Sequence, residues 1–178
     1  MNITRVFLVG FMGAGKSTVG PLLAARLGWV FVDLDFEIEN LTGSSVQRIF
    51  EERGEGFFRG LETSALAAFE RREKCVVALG GGAFVQQHNR ELVRKLGCSI
   101  FLDCPLELVL ARCPRDGTRP LLQDLLNVDA LYQSRLPSYL TCDFRVNVAN
   151  RTPEEICDLI IEQVSTNPEL RLEAGLIP

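Results

Sequence analysis

The stretch "GFMGAGKST" carries Gly10, Gly15, Lys16 and Ser17 in the spacing G-x-x-x-x-G-K-[ST], between the apolar run "RVFLVG" and the amphipathic "STVGPLLAARL". A strand, a glycine loop and a helix start in that order make a cradle for phosphates. Residues without a Cβ let backbone N–H groups wrap an anion, and the helix N-terminus adds positive potential. In such a loop Lys16 reaches the β and γ phosphates, and the Ser17 hydroxyl coordinates Mg²⁺.

A second group of residues follows the next apolar run. "FVDLDFE" places Asp33 and Asp35 where an open parallel sheet binds ligands, at the carboxyl edge of its strands. Extended backbone continuing through Leu34 turns both carboxylates to one side, one toward Mg²⁺ and the other toward a substrate hydroxyl that it orients or deprotonates. The competing reading makes Asp35 the N-cap of a helix over "FEIENLTG". A third run, "CVVALGGGAF", ends in Gly80, Gly81 and Gly82, where nucleotide-binding chains often place a metal-holding carboxylate.

Arg59, Arg112, Arg119, Arg135 and Arg151 stand out in a chain of 178 residues with 19 basic and 23 acidic side chains, net charge −4. That balance disfavours a nucleic-acid or membrane-surface binder. Beside a phosphate loop, these guanidinium groups suit bidentate recognition of a carboxylate or phosphate. "ARCPRDGTRPLLQD" has little periodicity and reads as a loop, a lid that closes over the nucleotide and excludes water. His88 is the only histidine, so no Ser-His-Asp arrangement is available, and no N-K-x-D motif reads guanine. The remaining chemistry is phosphoryl transfer from ATP to a small acceptor.

The elements that must position these groups are legible as alternation. "RVFLVG", "WVFVD", "CVVALG", "CSIFLD" and "DFRVNV" are short runs rich in Val, Ile and Phe, separated by longer helical patterns. The pattern predicts an α/β layered fold with parallel strands, and near-continuous apolar runs predict a sheet covered on both faces. "TPEEICDLIIEQV" has Thr152 as N-cap, Pro153 at the first helical position and Glu155 closing a capping box. The stretch "SSVQRIFEERGEGFFRGLETSALAAFERR" reads as two helices broken near Gly54 and Gly56, and "DALYQSRLPSYL" as a helix with a kink or end at Pro137. The final stretch, "STNPELRLEAGLIP", reads as a short packed or frayed tail.

At 47% hydrophobic and 24% charged residues the composition is that of one globular domain. The six cysteines have no C-x-x-C pairing, and most read as small buried hydrophobes. No apolar run approaches a membrane span and no signal-peptide pattern precedes the phosphate loop, so the expected location is the cytoplasm.

Taken in order, "GFMGAGKST", "DLD", "FR" with Glu62 three residues after Arg59, "GGG", "RPLL" and R-x-P-x-Y resemble the shikimate kinase family, from Val6 to about Val164. The resemblance implies a P-loop, three-layer α/β fold like that of nucleoside monophosphate kinases, with a five-stranded parallel sheet. It implies a single domain over 1–178, with a substrate-binding region at about 33–60, a lid at about 112–124 and a tail at 165–178. The implied reaction is ATP-dependent phosphorylation of the shikimate 3-hydroxyl on the route to chorismate, by a cytoplasmic monomer.

The implied roles follow position by position. Gly13, Ala14, Gly15, Lys16, Ser17 and Thr18 bind ATP phosphates, while Ser17 and Asp33 hold Mg²⁺, Asp33 through water. Asp35 bonds ring hydroxyls and acts as base, and Arg59 and Arg135 clamp the carboxylate. Gly80, Gly81 and Gly82 lay backbone under the substrate, with Gly81 giving an N–H. Arg119 bridges from the lid to the phosphates, and Arg112 and Arg151 flank the adenine. Lys16, Asp35 and Arg119 are the implied catalytic set. The tail beyond Val164 and Pro114 in the lid approach depart from the family pattern. The nearest rival is a kinase of the same architecture acting on gluconate, a nucleotide or an aminated shikimate; a non-catalytic nucleotide-binding regulator is a second class.

Overall fold

Arg5–Val9 becomes the central strand because its last four residues are apolar and fully enclosed. The computed structural model describes residues 2–112, 125–167 and 171–172. The strands are β1 (Asn2–Ile3), β2 (Arg5–Val9), β3 (Val30–Asp33), β4 (Cys75–Ala78), β5 (Cys98–Asp103), β6 (Phe144–Asn147) and β7 (Arg171–Leu172). The helices are α1 (Lys16–Leu27), α2 (Leu34–Thr42), α3 (Val46–Ala67), α4 (Gln87–Leu96), α5 (Leu106–Arg112), α6 (Leu125–Tyr139) and α7 (Pro153–Thr166). Two short 3₁₀ turns, Ala68–Arg71 and Ala83–Val85, complete the described elements.

Five strands form one parallel sheet in the order β3-β4-β2-β5-β6. The predicted α/β class and all five predicted strands are present. Continuous burial, however, holds only for the enclosed strands β4 and β5 and for β2 beyond Arg5. Edge strands β3 and β6 keep partly exposed residues, because each has a neighbour on one side only. Val6, Phe7, Leu8, Val76, Val77, Ile100 and Leu102 have no measurable exposure and form the centre of the core. Phe69, in the turn after α3, meets Phe7 edge-on at 6.2 Å. That contact holds the end of α3 to the middle of the sheet.

Helix α7 starts as predicted: Thr152 N–H donates to Glu155 Oε2 (2.7 Å) and Glu155 N–H donates to Thr152 Oγ1 (3.2 Å). It packs on α1 through Arg26–Asp158 and through the Cys157 thiol against the Val19 carbonyl. The break in the long helical stretch falls at Gly54 alone, whose φ of 79° and ψ of 171° interrupt α3. A Cβ at Gly54 would meet nothing within 4 Å, so the backbone conformation, not crowding, calls for glycine. Gly56 is helical, so the single break expected near Gly54 and Gly56 lies at the first of the two. Helix α6 runs through Pro137 and stops two residues later at Tyr139, so its end falls close to the predicted kink or end at Pro137.

Strand β1 pairs in parallel with β7, Asn2 opposite Arg171 and Ile3 opposite Leu172. Those two tail residues are therefore paired, while residues 168–170 and 173–178 lie outside the described residues. Cys75, Cys98, Cys104 and Cys157 are buried, as their scattered spacing predicts, and Cys142 is half-buried, while Cys113 lies outside the described residues. Among the described residues no helix is long and apolar enough to cross a membrane.

Candidate active site

Strand order brings three chain segments together at one edge. Leu8 and Asp33 both register with Ala78, so the phosphate loop after β2 and the end of β3 flank the glycines that follow β4. The loop itself is bent by positive φ at Gly13 (74°) and Gly15 (97°), and Gly15 is the N-cap of α1. Lys16 Nζ folds over this loop and donates to the carbonyls of Gly10 (2.7 Å) and Phe11 (3.0 Å). Ser17 Oγ donates to Asp33 Oδ2 at 2.9 Å, joining the first turn of α1 to the end of β3.

The two aspartates do not lie on one continuous strand. The strand ends at Asp33, whose Oδ1 accepts from Asp35 N–H (3.1 Å) and caps α2. The capping role expected as an alternative for Asp35 thus belongs to Asp33, and Asp35 sits in the first helical turn. Its Oδ1 is buried and makes no hydrogen bond among the described residues. Burial raises its pKa above the ordinary carboxylate value, the Asp33 charge adds to that, and Lys16 and Arg59 oppose it. A carboxylate so placed is disposed to take a proton.

Arg59 comes from the second half of α3. Its Nη1 donates to Glu62 Oε2 (2.7 Å), and its Nη2 (2.7 Å) and Nε (3.1 Å) donate to Glu55 Oε1. Glu62 is wholly buried, its second oxygen unpaired, and burial raises its pKa against the pull of Arg59. Phe50 and Phe58 lie 4.7 Å apart between ring centres, and the Arg59 guanidinium stands 5.9 and 5.7 Å from them.

The three glycines face these groups one by one. A Cβ at Gly80 would fall 2.6 Å from Asp35 Oδ1 and 2.8 Å from Glu62 Oε1. At Gly81 it would fall 3.2 Å from Arg135 Nη1, and at Gly82 it would fall 2.3 Å from Arg59 Nη1. Any side chain at Gly80 or Gly82 would displace a charged group. Arg135 stands over the Phe11 ring at 5.7 Å, and one turn later on α6 the Tyr139 hydroxyl donates to the Gly81 carbonyl. Burial pushes the Tyr139 pKa up to about 12, so the phenol remains a donor.

Asp33, Asp35, Lys16, Ser17, Arg59, Arg135 and Gly80–Gly82 therefore converge. Arg112 and Arg151 do not join that cluster: they follow β5 and β6, on the opposite side of β2 from β4. Arg112 Nη1 approaches the Cys104 sulfur (3.9 Å), and Arg151 Nη1 donates to the Asn147 carbonyl (2.7 Å). Arg119, Pro114 and the lid beyond Arg112 lie outside the described residues. Glu62 and Tyr139 join the site without having been predicted to line it. Both carried a signal, since they sit three and four residues after Arg59 and Arg135, on the same helix faces.

Residues 12–165 match the family described as "Shikimate kinase". The chain belongs to the shikimate kinase family. The shikimate kinase of Persephonella marina is 40% identical over 161 residues, covering 90% of this chain and 98% of that one. The shikimate kinase of Geobacter sulfurreducens is 43% identical over 155 residues, covering 85% and 86%. Among solved structures, shikimate kinase from Acinetobacter baumannii in complex with shikimate superposes with a TM-score of 0.88 at 38% identity, over 93% of this chain and 95% of that one. The P-loop kinase fold anticipated from the ordered motifs is the fold of these shikimate kinases. A sugar kinase from Janibacter sp. HTCC2649 shares the fold alone, at a TM-score of 0.61 and 17% identity.

Proposed function

We propose that this chain is an ATP-dependent shikimate kinase, transferring the γ-phosphate to the 3-hydroxyl of shikimate to give shikimate 3-phosphate and ADP on the route to chorismate. The observation that carries the reading is the glycine run: three successive residues without side chains, faced by Asp35 with Glu62, by Arg135, and by Arg59. Two guanidinium groups beside bare backbone suit a small ring carboxylate, and the adjoining carboxylates suit its hydroxyls.

ATP phosphates rest on Gly13, Ala14, Gly15, Lys16, Ser17 and Thr18. Arg59 and Arg135 take the substrate carboxylate, over the backbone of Gly80, Gly81 and Gly82. The 3-hydroxyl oxygen attacks the γ-phosphorus, the bond to the β,γ-bridging oxygen breaks, and ADP leaves. Asp35 receives the hydroxyl proton, and Lys16 balances charge on the transferring group. Arg119 completes that balance from the lid, and Arg112 and Arg151 flank the adenine from beyond β5 and β6. The hydroxyl of Ser17 and the carboxylate of Asp33, 2.9 Å apart, are a hard oxygen pair that fits Mg²⁺, which characteristically takes few protein ligands and the substrate's own phosphates. When bound, Mg²⁺ neutralises charge on the β and γ phosphate oxygens. We further assign the whole chain to one kinase domain, with its acceptor region at about 33–60 and lid at about 112–124, working as a cytoplasmic monomer.

A coupled ADP-release assay with shikimate, aminoshikimate, gluconate and nucleoside monophosphates tests the assignment. Shikimate is expected to be turned over with the highest kcat/KM. Turnover of gluconate or a nucleotide without shikimate overturns it.

A further inference from the structure

Asn89 lies in the first turn of α4, wholly buried, and is hydrogen-bonded in two directions. Its Nδ2 donates to the Ala83 carbonyl (3.0 Å), and its Oδ1 accepts from the Thr63 hydroxyl (2.8 Å). The amide's orientation follows from chemistry, because a carbonyl offers only an acceptor and the NH₂ must face it.

The direction of the second bond follows in the same way. Thr63 Oγ1 is also 3.1 Å from the Arg59 carbonyl, one helical turn back, and has a single proton to give. The Arg59 carbonyl lies within α3, where the backbone N–H four residues on satisfies it. Donation to Asn89 leaves no acceptor orphaned, whereas donation to Arg59 would leave Asn89 Oδ1 buried and unpaired, at a cost of desolvation.

Asn89 thus ties two pieces of the acceptor site that are far apart in sequence. Ala83 directly follows Gly80–Gly82, and Thr63 lies one turn beyond Arg59 on α3. Gly82 and Arg59 are so close that a Cβ would stand 2.3 Å from Nη1. Arg90 adds a link from the same turn of α4, donating to the Phe84 carbonyl (3.1 Å) and the Ser138 hydroxyl (3.3 Å). Ser138 adjoins Tyr139, which bonds the Gly81 carbonyl.

We propose that Asn89 is a positioning residue for the acceptor site, its buried amide setting the separation between the glycine backbone after β4 and the carboxylate-binding Arg59. The inference rests on the shikimate kinase reading above. The phosphate loop is built on β2 and α1 and has no bond to Asn89 among those described, so the nucleotide side is spared.

The test compares wild type with Asn89→Ala, Thr63→Val, Thr63→Ser and the Asn89→Ala/Thr63→Val pair, using steady-state kinetics and calorimetric titration of shikimate and ATP separately. Asn89→Ala and Thr63→Val should each raise the shikimate KM and Kd about tenfold, the scale of one lost buried hydrogen bond, with ATP values unchanged. Thr63→Ser keeps the hydroxyl and should behave as wild type. The double variant should lose less than the product of the two single effects, because both break one bond. Parallel loss for shikimate and ATP, or an unchanged shikimate KM in Thr63→Val, overturns the proposal; Thr63→Val carries the test alone if Asn89→Ala does not fold. Wild-type protein that fails to phosphorylate shikimate overturns the functional reading and this inference together. An active wild type with unaltered variants overturns only the inference.

Discussion

Gly82 packs its backbone directly against Arg59: a Cβ there would stand 2.3 Å from Nη1 and 2.5 Å from Cζ of the guanidinium. Gly82→Ala must therefore push aside the guanidinium proposed to hold the substrate carboxylate, and the shikimate KM should rise by about tenfold or more while the ATP KM stays put. Gly80→Ala meets a different group, Asp35 Oδ1 at 2.6 Å, and should lower kcat more than it raises KM. Full kinetics on both variants check this; identical profiles would contradict the division of labour along the glycine run.

Arg59 is also the only hydrogen-bond partner described for the wholly buried Glu62 side chain. Arg59→Ala leaves that carboxyl alone, and breaking one side of a buried pair costs about 3 to 5 kcal/mol. The variant should unfold at lower denaturant concentration, bind shikimate weakly and retain its ATP affinity. Adding Glu62→Gln removes the stranded charge and should recover much of the stability without the binding. A single Arg59→Ala variant as stable as wild type would show that the pair contributes nothing.

Stability and activity should respond to pH in opposite directions at this site. Burial, then the Asp33 charge, raises the Asp35 pKa, and burial raises that of Glu62. The folded state holds these protons more tightly than an unfolded chain with carboxyl pKa values of about 4. That stabilisation is complete below the unfolded value and is lost as pH rises through the raised folded values. Asp35→Asn, uncharged at any pH, should melt above wild type at neutral pH, with the gap closing on acidification. Over the same range wild-type kcat/KM should fall, its acid limb lying above the ordinary carboxylate range. Melting curves and pH–rate profiles of both proteins check this, and a gap independent of pH would contradict it.

Asp33 combines a cap and a charge, and the two can be separated. Asparagine caps helices as well as aspartate, so Asp33→Asn should keep the bond from Asp35 N–H and the stability of α2. Without the carboxylate beside Ser17, the Mg²⁺ concentration for half-maximal activity should rise about tenfold. Metal titrations of activity, with chelator abolishing turnover in both proteins, measure this; an unchanged requirement would remove Asp33 from the proposed Mg²⁺ ligands.

The features legible in the sequence were those decided by near neighbours. The phosphate loop is one strand, one turn and one helix start in a row, and the alternation of apolar runs with helical patterns is a local periodicity. The α7 capping box and the Gly54 break follow from residue types a few positions apart. Where strand ends and helix begins was harder, because Asp33 and Asp35 suit both strand end and helix cap; the Asp33 to Asp35 N–H bond decides it. Pro137 was legible in the same local way, since a residue with no backbone N–H disfavours further helix and α6 stops two residues after it.

The sequence by itself determined that a nucleotide-phosphate loop, two carboxylates, a glycine run and separated arginines share one parallel α/β chain. It could not say which of them meet, because strand order and the facing of helices depend on packing between segments tens of residues apart. Tertiary structure alone put β4 between β3 and β2, and so set Gly80 against Asp35 and Glu62, Gly81 against Arg135 and Gly82 against Arg59. It also separated Arg112 and Arg151 onto the far side of β2, and placed Asn89 between α3 and the glycine run, where a buried amide must have both partners or lose stability.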